Sequence, residues 1–196
     1  MIDRYVIVEK LGWGHFSTVW LARDFKYDTY VAIKIQKSAQ HYFDAAFDEV
    51  EILQKIAKNS KNKSWFKDLK KYHKNEGRTE FTRDDCHIVQ LLNAFIYKGP
   101  YGKHFCMVFE ILGVNLLEVI KRYNFKGLPL QLCRRLAKQI LIGMDYLHRV
   151  CGIIHTDLKP ENVLIQMTEE QLVRINEIYL TLVPARTPKI EKINFL

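Results

Sequence analysis

The stretch His155-Thr156-Asp157-Leu158-Lys159-Pro160-Glu161-Asn162 sets an acid, an ammonium group and a carboxamide close together, with a proline stiffening the loop between them. That is the equipment for moving a phosphoryl group onto a hydroxyl. An amphipathic segment precedes the loop and the apolar run Val163-Leu164-Ile165 follows it. The rest of the chain can be searched for what this loop lacks, a place for a nucleotide and for metals.

Upstream, 5–10 and 19–23 alternate with β-branched residues and read as two strands. They are joined by Leu11-Gly12-Trp13-Gly14-His15-Phe16-Ser17-Thr18. Glycines at 12 and 14 let the backbone approach a ligand, and exposed N–H groups in such a hairpin can cover phosphates. A strand rather than a helix follows, so this is not the dinucleotide-binding fingerprint. A plain turn is the alternative. The segment 30–35 is a third strand, with Lys34 alternating with Ala32; it reads either as a lysine reaching out to water or as a phosphate ligand held by a buried acid.

The helix expected over 43–57 discriminates between these. Glu49 has Ala45, Ala46, Ile52 and Leu53 at its i±3 and i±4 positions, whereas Glu51 neighbours Lys55 and can pair with it on the surface. A carboxylate within an apolar stripe requires a cation, so Glu49 is the expected partner of Lys34. Beyond it, 59–83 reads as a basic loop insertion, partly helical or disordered and solvated, with little periodicity beyond Trp65-Phe66 and Leu69 and with a patch for phosphorylated or nucleic-acid ligands as the alternative. Between Lys55 and Arg83 the chain carries ten Lys/Arg against three acids, nearly the whole net charge of +8. Strands are expected over 87–92, 94–97 and 104–110, and helices over 115–123 and 130–148, the latter with Leu132, Leu136, Ile140, Met144 and Leu147 on one stripe. Ile153-Ile154 reads as a short strand, and the tail as helical to about residue 182 before Pro184 and Pro188 break it.

With 196 residues, 48% of them hydrophobic, the chain can bury a sizeable core. No apolar run reaches the roughly 18 residues of a membrane span, and there is no N-terminal secretory pattern. Cys86, Cys106, Cys133 and Cys151 are scattered without a CxxC pair, as free thiols of a cytoplasmic or nuclear protein would be.

Taken in order, these pieces resemble a protein kinase: Gly-rich hairpin, Val-Ala-Ile-Lys strand, helix glutamate, hinge, long helix, His-x-Asp-x-Lys-Pro-x-Asn loop. The stretches 11–20, 107–113 and 153–164 resemble the SR-protein kinases, which phosphorylate serines in Arg/Ser-rich splicing factors. The resemblance covers about residues 5–165 apart from the basic insert. It implies an α+β, bilobal fold: residues 1–109 an N-lobe with a five-stranded antiparallel sheet, one main helix and the insertion 59–83; 110–113 a hinge; 114–165 an incomplete helical C-lobe; and 166–196 the start of a spacer.

The resemblance further implies ATP and Mg2+ as cofactors. Lys34 holds the α/β-phosphates, fixed by Glu49. Asp157 orients the substrate hydroxyl, Lys159 neutralises developing charge, and Asn162 binds one magnesium. Gly12 and Gly14 cover the phosphates. Leu11, Val19, Ala32 and Leu164 sandwich the adenine, the backbone of Glu110 and Leu112 reads its edge, and Phe109 limits the back of the pocket. The implied partner is an Arg/Ser-rich protein, not nucleic acid and not a membrane.

Two features depart from the pattern. Thr156 stands where most kinases have an Arg that pairs with a phosphorylated activation loop; threonine cannot make that bidentate pair. No Asp follows Asp157 and no Gly follows Gly152, so the second metal ligand of an Asp-Phe-Gly motif is not in this sequence. The expectation is a chain cut short after the catalytic loop, with doubtful activity in isolation. A non-catalytic nucleotide-binding module and a basic-loop nucleic-acid binder are the competing readings.

Overall fold

The computed structural model describes residues 4–180, which cluster into two compact units. The first holds residues up to Val50, Leu91–Ile111 and the residues from Gln166 on; the second holds Glu51–Gln90 and Leu112–Ile165. The prolines at 184 and 188, expected to break the tail helix, lie outside the described residues.

The first unit is built on a five-stranded antiparallel sheet of β1 (Tyr5–Trp13), β2 (Ser17–Asp24), β3 (Thr29–Gln36), β4 (Leu91–Gly99) and β5 (Gly102–Phe109), in the order β1-β2-β3-β5-β4. The inner strands bury consecutive residues, Leu21 to Asp24 of β2 and Phe105 to Val108 of β5. Val31 and Ile33 of β3 and Cys106 and Val108 of β5 are almost wholly buried, and pack with Tyr5 and Ala22. Tyr5 stacks on Phe95, ring centroids 5.5 Å apart, and Asn93 donates to its hydroxyl at 2.9 Å. Each fully buried aliphatic side chain contributes about 1.5–3 kcal/mol.

Helix α1 (Gln40–Asn59) packs Phe43, Ala46 and Val50 on the sheet through Phe105 and Met107. The strand expected over 87–92 is corrected. A 3-10 turn occupies Arg83–Cys86, and His87 takes a left-handed φ of 52°, which a ladder cannot continue, so β4 starts only at Leu91.

The second unit bears out a partly helical 59–83 and corrects the expectation that this insertion is solvated. Helix α2 (Lys63–Tyr72) begins at Asn62, whose side chain accepts the Ser64 N–H at 2.9 Å. Trp65 and Leu69, one helical turn apart, are 1% and 0% exposed. They join Ile56, Cys86, Ile142, Tyr146, Leu147 and Cys151 in one core cluster. The lysines that suggest a loop cover the outer face of a buried helix. Polar links tie the same segment down. Tyr72 donates to Asp145 at 2.9 Å, Arg149 donates to Asp68 at 2.8 Å and Asp145 at 2.9 Å, and Glu76 pairs with His73 at 2.7 Å and with Lys138.

Strand β6 (Leu112–Asn115) leads into α3 (Leu116–Arg122), capped by the Asn115 side chain, which accepts the Glu118 N–H at 2.9 Å. Helix α4 (Leu130–Asp145) ends in a π-helical turn, Tyr146–Val150, within which the Tyr146 hydroxyl donates to the Ile56 carbonyl at 2.5 Å. Of the expected stripe, Leu147 is buried and Leu132, Leu136, Ile140 and Met144 are half-buried. Ile153-Ile154 is not a strand: Ile153 packs on the core and Ile154 is 79% exposed, with no ladder partner. The pairing goes instead to β7 (Leu164–Gln166), joined to β6. Helix α5 (Glu169–Leu180) belongs to the first unit, where Tyr179 lies 5.8 Å from Tyr30 and bonds to Glu9. All four cysteines are free, with only Cys133 exposed.

Two outcomes follow from the second unit's packing. Leu69→Ala should cost about 2–5 kcal/mol in urea unfolding, as a buried deletion does, where a solvated loop would give less than about 0.5 kcal/mol. Lys138 and His73 hold Glu76 down to about 2 from its ordinary 4.5. A depressed carboxylate stabilises above its unfolded value, so that contribution is fully present above pH 4.5 and is lost as the pH falls toward 2. Glu76→Gln should flatten that part of the acid limb in stability measured against pH.

Candidate functional site

In the first unit the strand register assembles one group. Gly12 lies opposite Val19, Val19 opposite Lys34, and Ala32 opposite Phe109. Directly paired residues share a face, as do residues two apart on one strand, so Val19, Ala32 and Lys34 present side chains to the same side of the sheet. Lys34 Nζ donates to both carboxylate oxygens of Glu49, at 2.6 and 2.7 Å. Glu51 is exposed. Ala46 and Val50 seat α1 in the phase that turns Glu49 toward Lys34. An ammonium has three donors; Glu49 engages it from one side, and what remains can serve an anion.

The hairpin between β1 and β2 closes with the Gly14 N–H donating to the Ser17 carbonyl at 2.9 Å. Neither Gly12 nor Gly14 has a positive φ, and a Cβ on either would touch nothing. The fold therefore does not demand glycine at these positions; what their bareness preserves is open space beside the hairpin, which suits close approach by a ligand. Leu11 is half exposed and Trp13 more so. Phe109 ends β5, and Glu110 and Ile111 carry no regular structure before the chain leaves that unit.

In the second unit Leu112 and Leu164 stand on the paired strands β6 and β7. The loop before β7 converges on one carboxylate. Asp157 Oδ2 accepts from Lys159 Nζ at 2.9 Å and from Asn162 Nδ2 at 2.9 Å, and the same Nδ2 donates to the Asp157 carbonyl at 2.9 Å. Proline at 160 opens the 3-10 turn Pro160–Asn162 that brings Asn162 back. The Asp157 N–H donates to the His155 carbonyl at 2.8 Å. Thr156 between them takes φ 61°, unusual for a β-branched residue. The hydrogen bond from Lys159, then that from Asn162, hold the Asp157 carboxyl below the usual range, and Asp157 in turn raises Lys159. Asp157 is thus an ionised acceptor at neutral pH. Its Oδ1 has no partner among the described residues, and the Asn162 side-chain oxygen is left as a hard ligand.

The structure therefore brings Lys34, Glu49, Val19, Ala32, Gly12 and Phe109 together on one unit, and Asp157, Lys159 and Asn162 on the other. Among the described residues no group of three or more His, Cys, Asp or Glu could hold a metal ion. A magnesium bound here would draw on one or two protein oxygens and complete its shell from phosphates and water, as that ion commonly does. No helix among the described residues is long and apolar enough to cross a membrane. Sequence reasoning missed the contribution of α2; its signal was the Trp65–Leu69 spacing of one helical turn.

Comparison with known proteins bears on the same residues. The protein kinase domain family matches residues 5–178. Protein kinase dsk1 of Schizosaccharomyces pombe is 48% identical over 172 residues, covering 88% of this chain and 28% of that protein. Serine/threonine-protein kinase SRPK of Physarum polycephalum is 52% identical over 164 residues, 83% of this chain and 34% of that protein. SRSF protein kinase 3 of Mus musculus is 41% identical over 172 residues, 88% and 27%. The chain thus spans about a third or less of the length of these curated relatives. Among solved structures, the PF14_0431 kinase domain aligns with a TM-score of 0.67 at 27% identity, over 85% of this chain and 41% of that one.

The ion pair can be tested without any ligand. In a double-mutant cycle by urea unfolding at pH 7, Lys34→Met and Glu49→Gln should be coupled by about 1 kcal/mol. Lys34→Met and Glu51→Gln should add to within about 0.5 kcal/mol.

Proposed function

The chain belongs to the protein kinase family, and from that premise we propose that it carries the nucleotide-binding and catalytic-loop parts of an ATP- and Mg2+-dependent serine/threonine kinase acting on Arg/Ser-rich proteins. The observation that carries this reading is the Asp157 carboxylate, held at Oδ2 by Lys159 and Asn162 and open at Oδ1. Protein kinases in general use ATP and Mg2+, and the residues present fit them. Lys34, held by Glu49, suits the phosphates; the bare hairpin at Gly12 and Gly14 leaves room for them; the Asn162 oxygen suits one magnesium. On the first unit, Leu11, Val19 and Ala32, with the side chain of Phe109 and the backbone of Glu110, offer apolar surface and an edge contact suited to an adenine; on the second, Leu164 offers apolar surface and Leu112 its backbone.

The bound nucleotide with its metal supplies the phosphoryl group and neutralises its charge. Asp157 Oδ1 accepts the hydrogen bond of a substrate serine hydroxyl and turns its oxygen lone pair outward. Because Asp157 stays ionised, it is ready to take that hydrogen bond without first losing a proton. Lys159 does two jobs, fixing Oδ2 and placing positive charge beside the acceptor. Support for an Arg/Ser-rich substrate comes from the resemblance and from the names of relatives such as SRSF protein kinase 3. The competing reading is a nucleotide-binding module without transfer.

The two readings part in a radiolabel assay with ATP, Mg2+ and an Arg/Ser peptide. Metal-dependent transfer that Asp157→Asn lowers by roughly 10²–10⁴-fold, with nucleotide binding within twofold of the parent, is the expected result. Nucleotide binding with no transfer above the Asp157→Asn background would establish the module instead.

A further inference from the structure

On α2, Lys63, Lys67 and Lys70 follow one another at i, i+4 and i+7. They line a concavity of about 340 Å³ whose other walls are Phe66, Thr79 and Phe81. None of the three makes an ion pair among the described residues, although Lys71 on the same helix pairs with Asp68 and Lys138 pairs with Glu76. Three cations thus surround a partly apolar hollow with no carboxylate among the described residues to balance them.

The aromatic rings decide what fits. Phe66 and Phe81 are half-buried against the core cluster. Phe81 is further covered by the Arg78 guanidinium, 5.1 Å from its centroid, and by the His73 ring at 5.5 Å. A nucleobase needs an open aromatic face to stack on, and Phe81 offers little. The lysines are point charges rather than the planar forks that match phosphate in bidentate fashion. They are staggered by about 6 Å and about 4.5 Å along the helix axis. An extended peptide repeats side chains on one face every ~7 Å, so a run of carboxylates can meet all three, whereas one phosphate cannot.

We propose that this groove docks an acidic peptide segment of a partner protein, with Asp or Glu side chains on Lys63, Lys67 and Lys70 and one apolar side chain against Phe66 and Phe81. The site is separate from the phosphoryl-transfer residues and does not depend on their activity.

The test is fluorescence anisotropy of the full chain with a fluorescein-labelled peptide of about ten residues, made of Asp and Glu with one central Leu. Saturable binding is expected, weakening at least about tenfold in K63E/K67E/K70E, which reverses three charges in the groove. The variant K58E/K61E/K74E makes the same charge change outside it and should stay within about twofold. If the groove variant loses its fold by circular dichroism, K63Q/K67Q/K70Q takes its place, with a loss of at least about threefold expected. Equal losses in the two triple variants, or unchanged binding in the groove variant, overturns the proposal. Tighter, groove-dependent binding of a uridine decamer than of the acidic peptide also overturns it, and makes the surface one for nucleic acid.

Discussion

Bringing the Lys34 ammonium within 2.6 Å of the Glu49 carboxylate, with the two side chains 26% and 35% exposed, takes both groups partly out of water, and only their close mutual contact offsets that cost. The geometry of the first unit is subordinate to it. Lys34 must sit on an interior strand, and β3 is paired on both sides, by β2 and β5. Glu49 must face the sheet, which fixes the phase of α1; a rotation by one residue, 100°, would present Asp48 or Val50 instead. Ala46 and Val50 against Phe105 and Met107 set that phase by packing. The three residues between β3 and α1 are held as well, through the Ser38 hydroxyl donating to the Tyr101 carbonyl at 2.9 Å.

The parts legible in the sequence were those governed by local period. The strands 5–10, 19–23 and 30–35 were visible because β-branched and aromatic residues recur along them between turn residues, even though burial in β2 and β3 runs through neighbouring residues instead of alternating. Glu49 could be chosen over Glu51 because helix geometry alone decides which of them lies between apolar neighbours. The burial of the helix over 63–72 was hidden because eight of its ten positions are not buried and four of those are lysine; only Trp65 and Leu69 report the core, and they pack on residues far along the chain. The bonds of Tyr72 to Asp145 and of Asp68 to Arg149 span 73 and 81 residues, a separation at which no period in the sequence gives a signal. Ile153-Ile154 misled because two β-branched residues favour a strand only where a neighbour offers a ladder.

The loop at 155–162 shows a second kind of constraint. Its chemistry needs Asp157 aimed and its neighbours folded back, and this is achieved with a left-handed residue at Thr156 rather than with glycine. Such a conformation costs on the order of 1–3 kcal/mol and persists only where surrounding bonds over-determine it. Here those bonds are the contacts of Asp157 to His155, Lys159 and Asn162. Spending stability to fix a side chain is characteristic of residues that act on a ligand. The charge pattern of α2 answers a different demand, since its outward lysines contribute nothing to the core that Trp65 and Leu69 build.

The cysteines have a practical consequence. Burial pushes the Cys86 thiol up to about 11 and the Cys106 thiol up to about 12, and raises Cys151 as well. A thiol reacts through its thiolate and must be reached by the reagent, so these three are closed to alkylation near neutral pH for as long as the fold holds. Cys133 alone is exposed, on α4. The unaltered chain therefore behaves toward maleimides as a single-cysteine protein, ready to carry one spectroscopic label on that helix, and the appearance of further reactive thiols would time the opening of its cores.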